Sequence, residues 1–496
     1  MRVLLIRPPV PPHTIGLKHI MICEPLELEY VAAGLQGHDV QIMDLIVERN
    51  LERRLRLFAP DVVGTSCYIT GVNEVKKICR TVKRWNPRCW TIVGGVQASR
   101  VPEDFLDSAI DVVVRGDGTT AMPLILDAIQ SDQNLHTLQN LPNLALPDGD
   151  RMVLTADQPY MPKPDELPFP RRDLVQHLQH RYYYLFHQPV ATMKTTWGCW
   201  YKCNFCYTWR ITDGLPYSRS PESIVDELEQ IQANDVYIVD DIFLINRNRL
   251  ARIADLLRAR HIKKSYLVYA RADFIAENED VIAEWAGLGL KAVFVGLEAA
   301  TDAELDSMDK QCTVDYNRQA IAVMRRHRVD TYGSLITQPD YTEADFARLK
   351  RFIDDTKLYY LNISPLTPMP GTLIWDRYKD QTTVSRVAHG LWDLSHMLLP
   401  TRMPLKRYYR SLLSVYAHAC INPRRAASLS LRTAPPIWSW KFVRLWYGAL
   451  KIARQFFMAH RHHTPADLAL ARDTGPEVPG LVPRWKARQL APAAGD

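Results

Sequence analysis

The sequence predicts an α/β protein in which two β/α units are followed by a helical C-terminal region. Short, nearly continuous apolar runs alternate with helical patterns twice along the 496 residues, and a proline-rich polar stretch separates the two series. Such runs are typical of parallel strands buried on both faces. The expected parts are a doubly wound, Rossmann-like domain (1–131), a linker (132–190), a partial (β/α)6 barrel (191–380), a helical region (381–465) and a disordered tail (466–496).

The first unit is predicted from five β-branched-rich runs. They lie at 2–6, 39–45, 61–68, 90–95 and 111–116. Helical patterns lie between or after them at about 24–36, 48–58, 72–86 and 121–131. In a doubly wound sheet, ligands bind outside the carboxyl ends of the strands.

The second unit begins after a stretch rich in proline and polar residues, for which we expect extended chain and one hairpin. Its strand candidates lie at 191–196, 235–240, 265–270, 291–297, 330–337 and 359–364, each followed by a helical segment. Six such units suit a partial barrel, whose chemistry lies on the loops after the strands.

Composition excludes several classes of protein. Hydrophobic residues make up 47% and charged residues 23%, as in ordinary globular proteins, and the net charge of +6 is too small to indicate nucleic-acid binding. Nine cysteines, an odd number and mostly scattered, do not form a disulfide framework, so a reducing cytoplasm is expected. No apolar run approaches the ~20 residues of a membrane span.

The stretch GCWYKCNFC places Cys199, Cys203 and Cys206 within eight residues. A structural zinc site needs four ligands, and no second Cys-x2-Cys pair is present. A redox pair formed by Cys203 and Cys206 would leave Cys199 unexplained. The remaining interpretation is a [4Fe–4S] cluster bound by three thiolates, which leaves one iron open to a small ligand.

This segment resembles the signature of the radical S-adenosylmethionine (SAM) family. The spacing Cys-x3-Cys-x2-Cys follows the first predicted barrel strand, and Phe205 stands between the last two cysteines. The resemblance extends along most of the chain. It implies that the open iron binds the amino and carboxylate groups of SAM, and that electron transfer then gives a 5′-deoxyadenosyl radical.

The same resemblance assigns SAM contacts to the ends of later strands. Asp240 and Asp241, in VYIVDDIFLINR, would meet the SAM ammonium, although a carboxylate after a strand also commonly caps a helix. Arg271, in YARADF, would bind the SAM carboxylate. Glu298, in VFVGLEAATD, would bind the ribose hydroxyls.

The first unit resembles the cobalamin-binding domain that precedes the barrel in cobalamin-dependent members of the family. Small residues would admit the corrin and its nucleotide tail: Thr65 and Ser66 end the third strand, Gly94 and Gly95 the fourth, and Gly116 the fifth. The alternative is a degenerate domain that binds no cofactor or only docks substrate.

The lower axial ligand of cobalt stays unassigned. The segment Pro11–Gly16 keeps the His and Gly of the Asp-x-His-x-x-Gly motif of free-standing cobalamin proteins but lacks its Asp, so His13 is expected to be a loop histidine. Gln97 stands where many relatives have His.

Together these resemblances imply a radical SAM methyltransferase that uses a [4Fe–4S] cluster, SAM and cobalamin to methylate an unactivated carbon. Segments such as CEPLELEYVAAGL resemble the hopanoid-methylating branch, which implies a small-molecule or lipid substrate. Two alternatives stay open: non-methylating radical chemistry such as tetrapyrrole ring formation, and a non-catalytic metal- or cobalamin-binding sensor. An electron donor such as flavodoxin or ferredoxin is the expected protein partner.

The segment 438–460 combines basic residues with an apolar, aromatic stripe at helical spacing. One interpretation is a helix packed on the barrel by its apolar stripe, with Lys441, Arg444, Lys451 and Arg454 in solvent. The other is a helix lying on a membrane surface. We therefore expect a cytoplasmic enzyme that binds no nucleic acid, with a possible peripheral membrane contact.

Overall fold

Two large sheets organise the protein, which is seen here in a computed structural model. The structure describes residues 1–131, 136–159, 163–420, 439–462, 468, 473–481 and 483–484. The first sheet has seven strands: β1 (Arg2–Arg7), β2 (Asp39–Asp44), β3 (Val62–Ser66), β4 (Trp90–Gly94), β5 (Val112–Val114), β6 (Leu144–Asp148) and β7 (Arg151–Leu154).

The order in the first sheet is β2-β1-β3-β4-β5-β6-β7, and β1 to β5 are parallel. The helices that accompany it are α1 (Leu26–Gly34), α2 (Leu51–Phe58), α3 (Val72–Trp85), α4 (Val96–Arg100), α5 (Gly118–Gln130) and α6 (His136–Asn140). This confirms the doubly wound fold. Its order reverses between β1 and β3, which places a ligand crevice at the carboxyl ends of these strands.

The hairpin of β6 and β7 is an addition to this sheet. It pairs antiparallel to β5 through Val113 and Val114, so the sheet continues beyond residue 131, where we expected the linker to begin. Leu144, Ala145 and Leu146 are buried, which explains why this part of 132–190 belongs to the core.

The second sheet has six parallel strands in chain order, which confirms the partial barrel. They are β8 (Val190–Met193), β9 (Asp235–Ile238), β10 (Ser265–Arg271), β11 (Leu290–Glu298), β12 (Asp330–Thr337) and β13 (Tyr360–Pro365). The helices that follow are α7 (Thr208–Ile211), α8 (Pro221–Gln230), α9 (Arg247–Ala259), α10 (Ala272–Glu277), α11 (Glu279–Leu288), α12 (Asp302–Ser307), α13 (Val314–Arg326), α14 (Glu343–Thr356) and α15 (Leu373–Tyr378).

Polar side chains begin most of these barrel helices. The N-cap side chains of α8, α9, α12, α13 and α15 each accept a hydrogen bond from a backbone N–H of the first turn: Ser220, Asn246, Thr301, Thr313 and Thr372. Each such cap contributes about 0.5–2 kcal/mol. They fix where each helix starts and so set the length of the preceding loop.

An in-register row of aromatic side chains crosses the lumen of the barrel. Tyr269, Phe294, Tyr332 and Tyr360 are neighbours on successive strands, with ring centroids 4.9–5.2 Å apart. Tyr184 packs against this row and belongs to the same core cluster as residues of the first sheet. The barrel lumen and the first sheet therefore share one hydrophobic core.

A buried ion network also joins the two sheets. Glu24, which precedes α1, accepts hydrogen bonds from Thr192 of β8 at its backbone N (2.5 Å) and hydroxyl (3.1 Å). Arg172, in the 3-10 helix Arg172–Arg181, donates to Glu227 of α8 (2.7 Å) and lies 3.5 Å from Glu24. Arg219 pairs with the other oxygen of Glu227. The network fixes the first sheet, the connecting segment and the barrel relative to one another.

Within the part of the C-terminal region that the structure describes there are two long helices, α16 (Leu405–Cys420) and α17 (Trp440–Met458). Residues 382–404 contain only the short 3-10 helix His389–Leu391, so the expected helical region 381–465 is helical only in part. No helix among the described residues is long and apolar enough to cross a membrane.

Part of the expected disordered tail, 466–496, is packed against the first sheet. Arg80 donates to Thr474 Oγ1 (3.0 Å) and Gly475 O (2.6 Å), and Arg484 N donates to Asp111 (2.6 Å). Arg80 of α3 and Asp111, directly before β5, are the buried charged partners of these residues. Within 466–496, residues 466–467, 469–472, 482 and 485–496 lie outside the described residues.

We expect Glu24→Ala to lower the free energy of unfolding by about 1–3 kcal/mol, since it leaves the buried Thr192 amide without an acceptor and removes one of the two carboxylates that pair with Arg172. Thermal and urea unfolding measure this effect. The matched control is Glu166→Ala, in an ion pair whose side chains are about 70% exposed, which should change stability by less than about 1 kcal/mol. Equal effects of the two substitutions would contradict the role given to the network.

Candidate active site

The three cysteines lie on one loop between β8 and α8. Cys203 is buried, Cys199 and Cys206 are partly buried, and all three are free thiols. Burial, together with the smaller effects of the neighbouring Cys206 and Cys203, raises the pKa of Cys199 to about 11. Three thiols within electrostatic reach of one another fit a [4Fe–4S] cluster with three thiolate ligands and one open iron. Among the described residues, no three His, Cys, Asp or Glu side chains surround a single-ion position.

Gly198 fixes the start of this loop. Its φ is +85°, and a Cβ there would lie 2.1 Å from Thr212 Oγ1 and 2.6 Å from Leu215 O. Only glycine combines this backbone conformation with such close packing. Its N–H donates to Asp241 Oδ2 at 2.7 Å, which links the cysteine loop to the end of β9.

The neighbouring carboxylates Asp240 and Asp241 have different surroundings. Asp240 is buried and accepts hydrogen bonds from the backbone N–H of Thr195 (2.5 Å) and of Thr196 (2.9 Å), and burial raises its pKa. Asp241 lines the central cavity beside Gly198. The structure therefore gives Asp240 a role in holding the chain before the cysteines, whereas Asp241 faces the cavity.

Arg271, predicted to bind the SAM carboxylate, already has several partners. It donates to Asp273 Oδ2 (2.8 Å) and to the carbonyls of Lys310 (2.9 Å) and Gln311 (2.8 Å). Its guanidinium carbon lies 3.6 Å from the centroid of the Tyr201 ring, in a cation–π contact. Arg271 thus ties the cysteine loop, through Tyr201, to the loop after α12.

Glu298 ends β11 in a left-handed conformation, with φ of +60°. Its carboxylate accepts a hydrogen bond from Lys310 Nζ at 2.8 Å, and both side chains are buried. Gly296 makes room for this pair, because a Cβ there would lie 2.5 Å from Glu298 Oε1 and 2.8 Å from Lys310 Nζ. A non-glycine residue held at positive φ beside a buried ion pair is strained backbone of the kind found at functional sites.

Sequence reasoning missed Lys310. Burial alone would lower its pKa, but the Glu298 carboxylate raises it, and the ammonium opposes the rise that burial causes in the pKa of Cys203. Its one sequence signal is weak: a lysine twelve residues after Glu298, beyond an intervening helix.

A cavity of about 550 Å³ lies between the carboxyl edge of the first sheet and the cysteine loop. The five residues predicted to contact cobalamin all line it: Thr65, Ser66, Gly94, Gly95 and Gly116. Lys194, Trp197, Gly198 and Asp241 line the opposite wall. Asp241 is the one predicted SAM contact in this lining, which does not include the other residues predicted for SAM and the cluster: Cys199, Cys203, Cys206, Asp240, Arg271 and Glu298. The wall of small residues at the strand ends fits a flat corrin.

Two further side chains extend into this cavity and were not predicted. Glu27 of α1 and Tyr68, after β3, both line it, and Tyr68 keeps 61% of its surface accessible to water inside the cavity. The surrounding protein, and then the Glu27 carboxylate, raise the pKa of Tyr68. Their signal in the sequence is only their position at the carboxyl edge of the sheet.

The two residues considered for the lower axial position lie elsewhere. His13 contacts the ring of His462, with centroids 4.5 Å apart, and Gln97 donates to Asp104 at 2.6 Å. Neither belongs to the cavity wall. The expectation that His13 is a loop histidine agrees with this placement.

Comparison with known families matches each unit separately. Residues 9–126 match the B12 binding domain and residues 193–353 match the radical SAM superfamily. The hopanoid C-3 methylase of Methylococcus capsulatus is 31% identical over 400 residues, which cover 79% of this chain and 75% of that protein. The anaerobic magnesium-protoporphyrin IX monomethyl ester cyclase of Cereibacter sphaeroides is 25% identical, covering 77% of this chain and 64% of that protein.

Solved structures share the fold. The cobalamin-dependent SAM radical enzyme OxsB, with aqua-cobalamin and SAM bound, matches with a TM-score of 0.68 at 14% identity, over 92% of this chain and 72% of that one. The radical SAM methyltransferase TsrM of Kitasatospora setae, with cobalamin and a [4Fe–4S] cluster bound, matches with a TM-score of 0.64 at 16% identity, over 92% and 99% of the two chains.

We expect Gly198→Ala to prevent assembly of the cysteine loop, because the added Cβ meets Thr212 and Leu215 at impossible distances. Iron and acid-labile sulfide content of anaerobically reconstituted protein should fall to near zero. Gly214→Ala is the matched control: Gly214 has φ of +78°, but its Cβ would meet only Lys202 Cε at 3.8 Å. If both variants bind iron equally, crowding at Gly198 does not control the loop.

Proposed function

Because the chain belongs to the cobalamin-dependent radical SAM enzymes, we propose that it methylates an unactivated carbon of a hopanoid-like lipid. The observation that carries this proposal is the cavity between the sheet edge and the cysteine loop. Residues of 1–131 would hold cobalamin in it, and residues of 191–380 on the barrel side of it would hold the cluster and SAM. When bound, these groups supply hydrogen abstraction and methyl transfer.

The chain's own residues would bind and orient the cofactors. Cys199, Cys203 and Cys206 would ligate the cluster. Asp241, at the cavity wall and hydrogen-bonded to Gly198, is placed to meet the SAM ammonium beside the open iron. Asp240 would support this position by holding the backbone of Thr195 and Thr196.

Glu298 and Lys310 would bind the other polar groups of SAM. The Glu298 carboxylate suits the ribose hydroxyls, as a carboxylate commonly accepts their hydrogen bonds. We assign the SAM carboxylate to the Lys310 ammonium, because among the described residues its three N–H donors serve one acceptor, Glu298, whereas Arg271 already donates to Asp273 and two backbone carbonyls. Arg271 would then act through Tyr201 and Lys310, which it positions.

The lipid substrate is supported by the 31% identity to a hopanoid C-3 methylase. Similarity to a magnesium-protoporphyrin ester cyclase keeps ring-forming radical chemistry as the second candidate. For partners and location, we propose a flavodoxin or ferredoxin electron donor and a cytoplasmic enzyme with a peripheral membrane contact through 438–460, of which 439–460 are described.

Activity is tested with anaerobically reconstituted protein, a reductant, SAM and a detergent-solubilised lipid extract. We expect release of 5′-deoxyadenosine and transfer of a deuterated SAM methyl group into a lipid. Cys199→Ala should lose iron and release no 5′-deoxyadenosine. Ring formation without label transfer would favour the second candidate, and an iron-loaded protein that leaves SAM intact would contradict the catalytic proposal.

We expect Lys310→Met to weaken SAM binding roughly tenfold or more, since a charge-assisted hydrogen bond contributes about 1.5–3 kcal/mol. Equilibrium binding of SAM to cluster-loaded protein measures this effect. Lys310→Arg, which keeps the charge, should retain most of the affinity, and iron content checks that both variants keep the cluster. Wild-type affinity in Lys310→Met would return the SAM carboxylate to Arg271.

A further inference from the structure

The helix α17 contacts the rest of the protein through the side that carries its first two basic residues. Lys441 Nζ donates to Gln188 O at 3.4 Å. Arg444 donates to Leu185 O at 2.9 Å, and its guanidinium carbon lies 3.9 Å from the centroid of the Tyr183 ring. The interpretation that the basic residues of this helix lie in solvent is therefore wrong for Lys441 and Arg444, whereas Arg454 is exposed as it expects.

Close packing fixes this orientation. A Cβ on Gly448 would lie 2.3 Å from His19 O, so this side of α17 lies directly against the backbone that follows β1. Phe456 is buried, and its ring lies 5.9 Å from that of Tyr416 in α16. Rotating the helix to bury its apolar stripe would break both contacts.

The outward side of α17 is apolar and aromatic. Six large side chains on it are between 42% and 77% exposed: Trp440, Val443, Trp446, Tyr447, Leu450 and Phe457. Four of them recur at spacings of three, four and seven residues, which places them on one stripe of the helix. A continuous exposed apolar stripe of this kind marks an interaction surface.

The charges around this outer stripe are positive. The helix contains no Asp or Glu. Arg454 in the helix and Arg461, three residues after its end, are both exposed. Lys451 lies 4.4 Å from the Tyr447 ring centroid. Burial lowers the pKa of Lys18, and the nearby positive charge of Lys451 lowers it further. Lys18 and Lys451 therefore lie close together on this flank of the helix.

We propose that α17 docks on an anionic lipid surface, with the outer stripe at the boundary of headgroups and acyl chains and the basic flank at the headgroups. Trp and Tyr favour this boundary, and Lys and Arg favour anionic lipid. A second copy of the chain would bring the same cations against these cations. The proposal rests on the lipid substrate proposed above and names the surface through which the enzyme reaches it.

The docked helix is also connected to the wall of the active-site cavity. Gln455 Nε2 donates to Thr14 O at 3.3 Å, and Gly448 touches His19. Both partners lie on the segment between β1 and α1, and α1 supplies Glu27 and Tyr30 to the cavity. Docking would thus hold this side of the cavity next to the lipid.

The test uses the full chain and vesicles of phosphatidylcholine and phosphatidylglycerol in equal parts, with phosphatidylcholine vesicles as reference. Wild-type protein should co-sediment with the anionic vesicles and bind the neutral ones more weakly. The double variant Trp446→Glu, Leu450→Glu should bind at least about tenfold more weakly, because both substitutions place charge in the acyl boundary. Leu57→Glu, at an exposed leucine of α2, should bind like wild type.

Two readouts separate failure of docking from failure of catalysis. The double variant should keep its unfolding temperature and, with solubilised lipid extract, release 5′-deoxyadenosine within about twofold of wild type, as expected for surface substitutions. Cys199→Ala should release none but bind vesicles normally. Wild-type vesicle binding by the double variant, or an equal loss in Leu57→Glu, would overturn the proposal.

Discussion

The active-site cavity depends on how the first sheet is fixed against the barrel, and a buried ion network links the two directly. Glu24 and Glu227 reach Arg172 from opposite sheets, and each of these carboxylates also has a second partner. Buried charges are costly unless their pairing is complete, so the network tolerates little displacement. The aromatic core that the two sheets share adds buried apolar area, but apolar packing constrains the relative orientation of the sheets less than ion pairs do. These directional charge pairs therefore constrain the distance between the cysteine loop and the cavity wall at the edge of the first sheet, where cobalamin is predicted to bind.

Two neighbouring carboxylates just after β9 have different roles: one holds the chain and the other faces the cavity. Asp240 and Asp241 are adjacent in the loop that follows β9, which ends at Ile238, and their side chains have different surroundings. One carboxylate accordingly reaches the backbone of Thr195 and Thr196, and the other reaches the cavity. A pair of acidic residues after a strand is thus one anchor and one candidate ligand contact, which a motif alone does not distinguish.

Most of the fold could be predicted because buried parallel strands have a strong local pattern. All eleven expected strands have counterparts in the two sheets, and the cavity contains all five predicted cobalamin contacts. The hairpin of β6 and β7 was harder to place, since pairing with β5 depends on contacts distant in sequence. Lys310 and Tyr201 were missed for the same reason: their partners, Glu298 and Arg271, lie on other strands or loops.

The orientation of α17 shows a different limit. Its sequence contains an apolar stripe and a basic stripe, and hydrophobic burial favours packing the apolar one. The structure instead buries the side with Gly448, because helix and backbone approach closely only where a side chain is absent. Lys441 and Arg444 can lie on that side because carbonyl oxygens and the Tyr183 ring receive their donors. A stripe pattern identifies two faces of a helix, but close packing against a neighbour determines which face is inside.

Charge compensation links the cysteine loop to the residues that surround it. Burial raises the pKa of all three thiols, so binding iron must displace protons at a cost. Lys310 and Arg271 oppose this rise at Cys203 and stand on the side of the loop away from solvent. Their positive charges favour thiolates in a poorly solvated site, and the carboxylates of Glu298 and Asp273 keep both cations in place. The strained backbone of Glu298 therefore holds the carboxylate that keeps Lys310 next to the predicted cluster ligand Cys203.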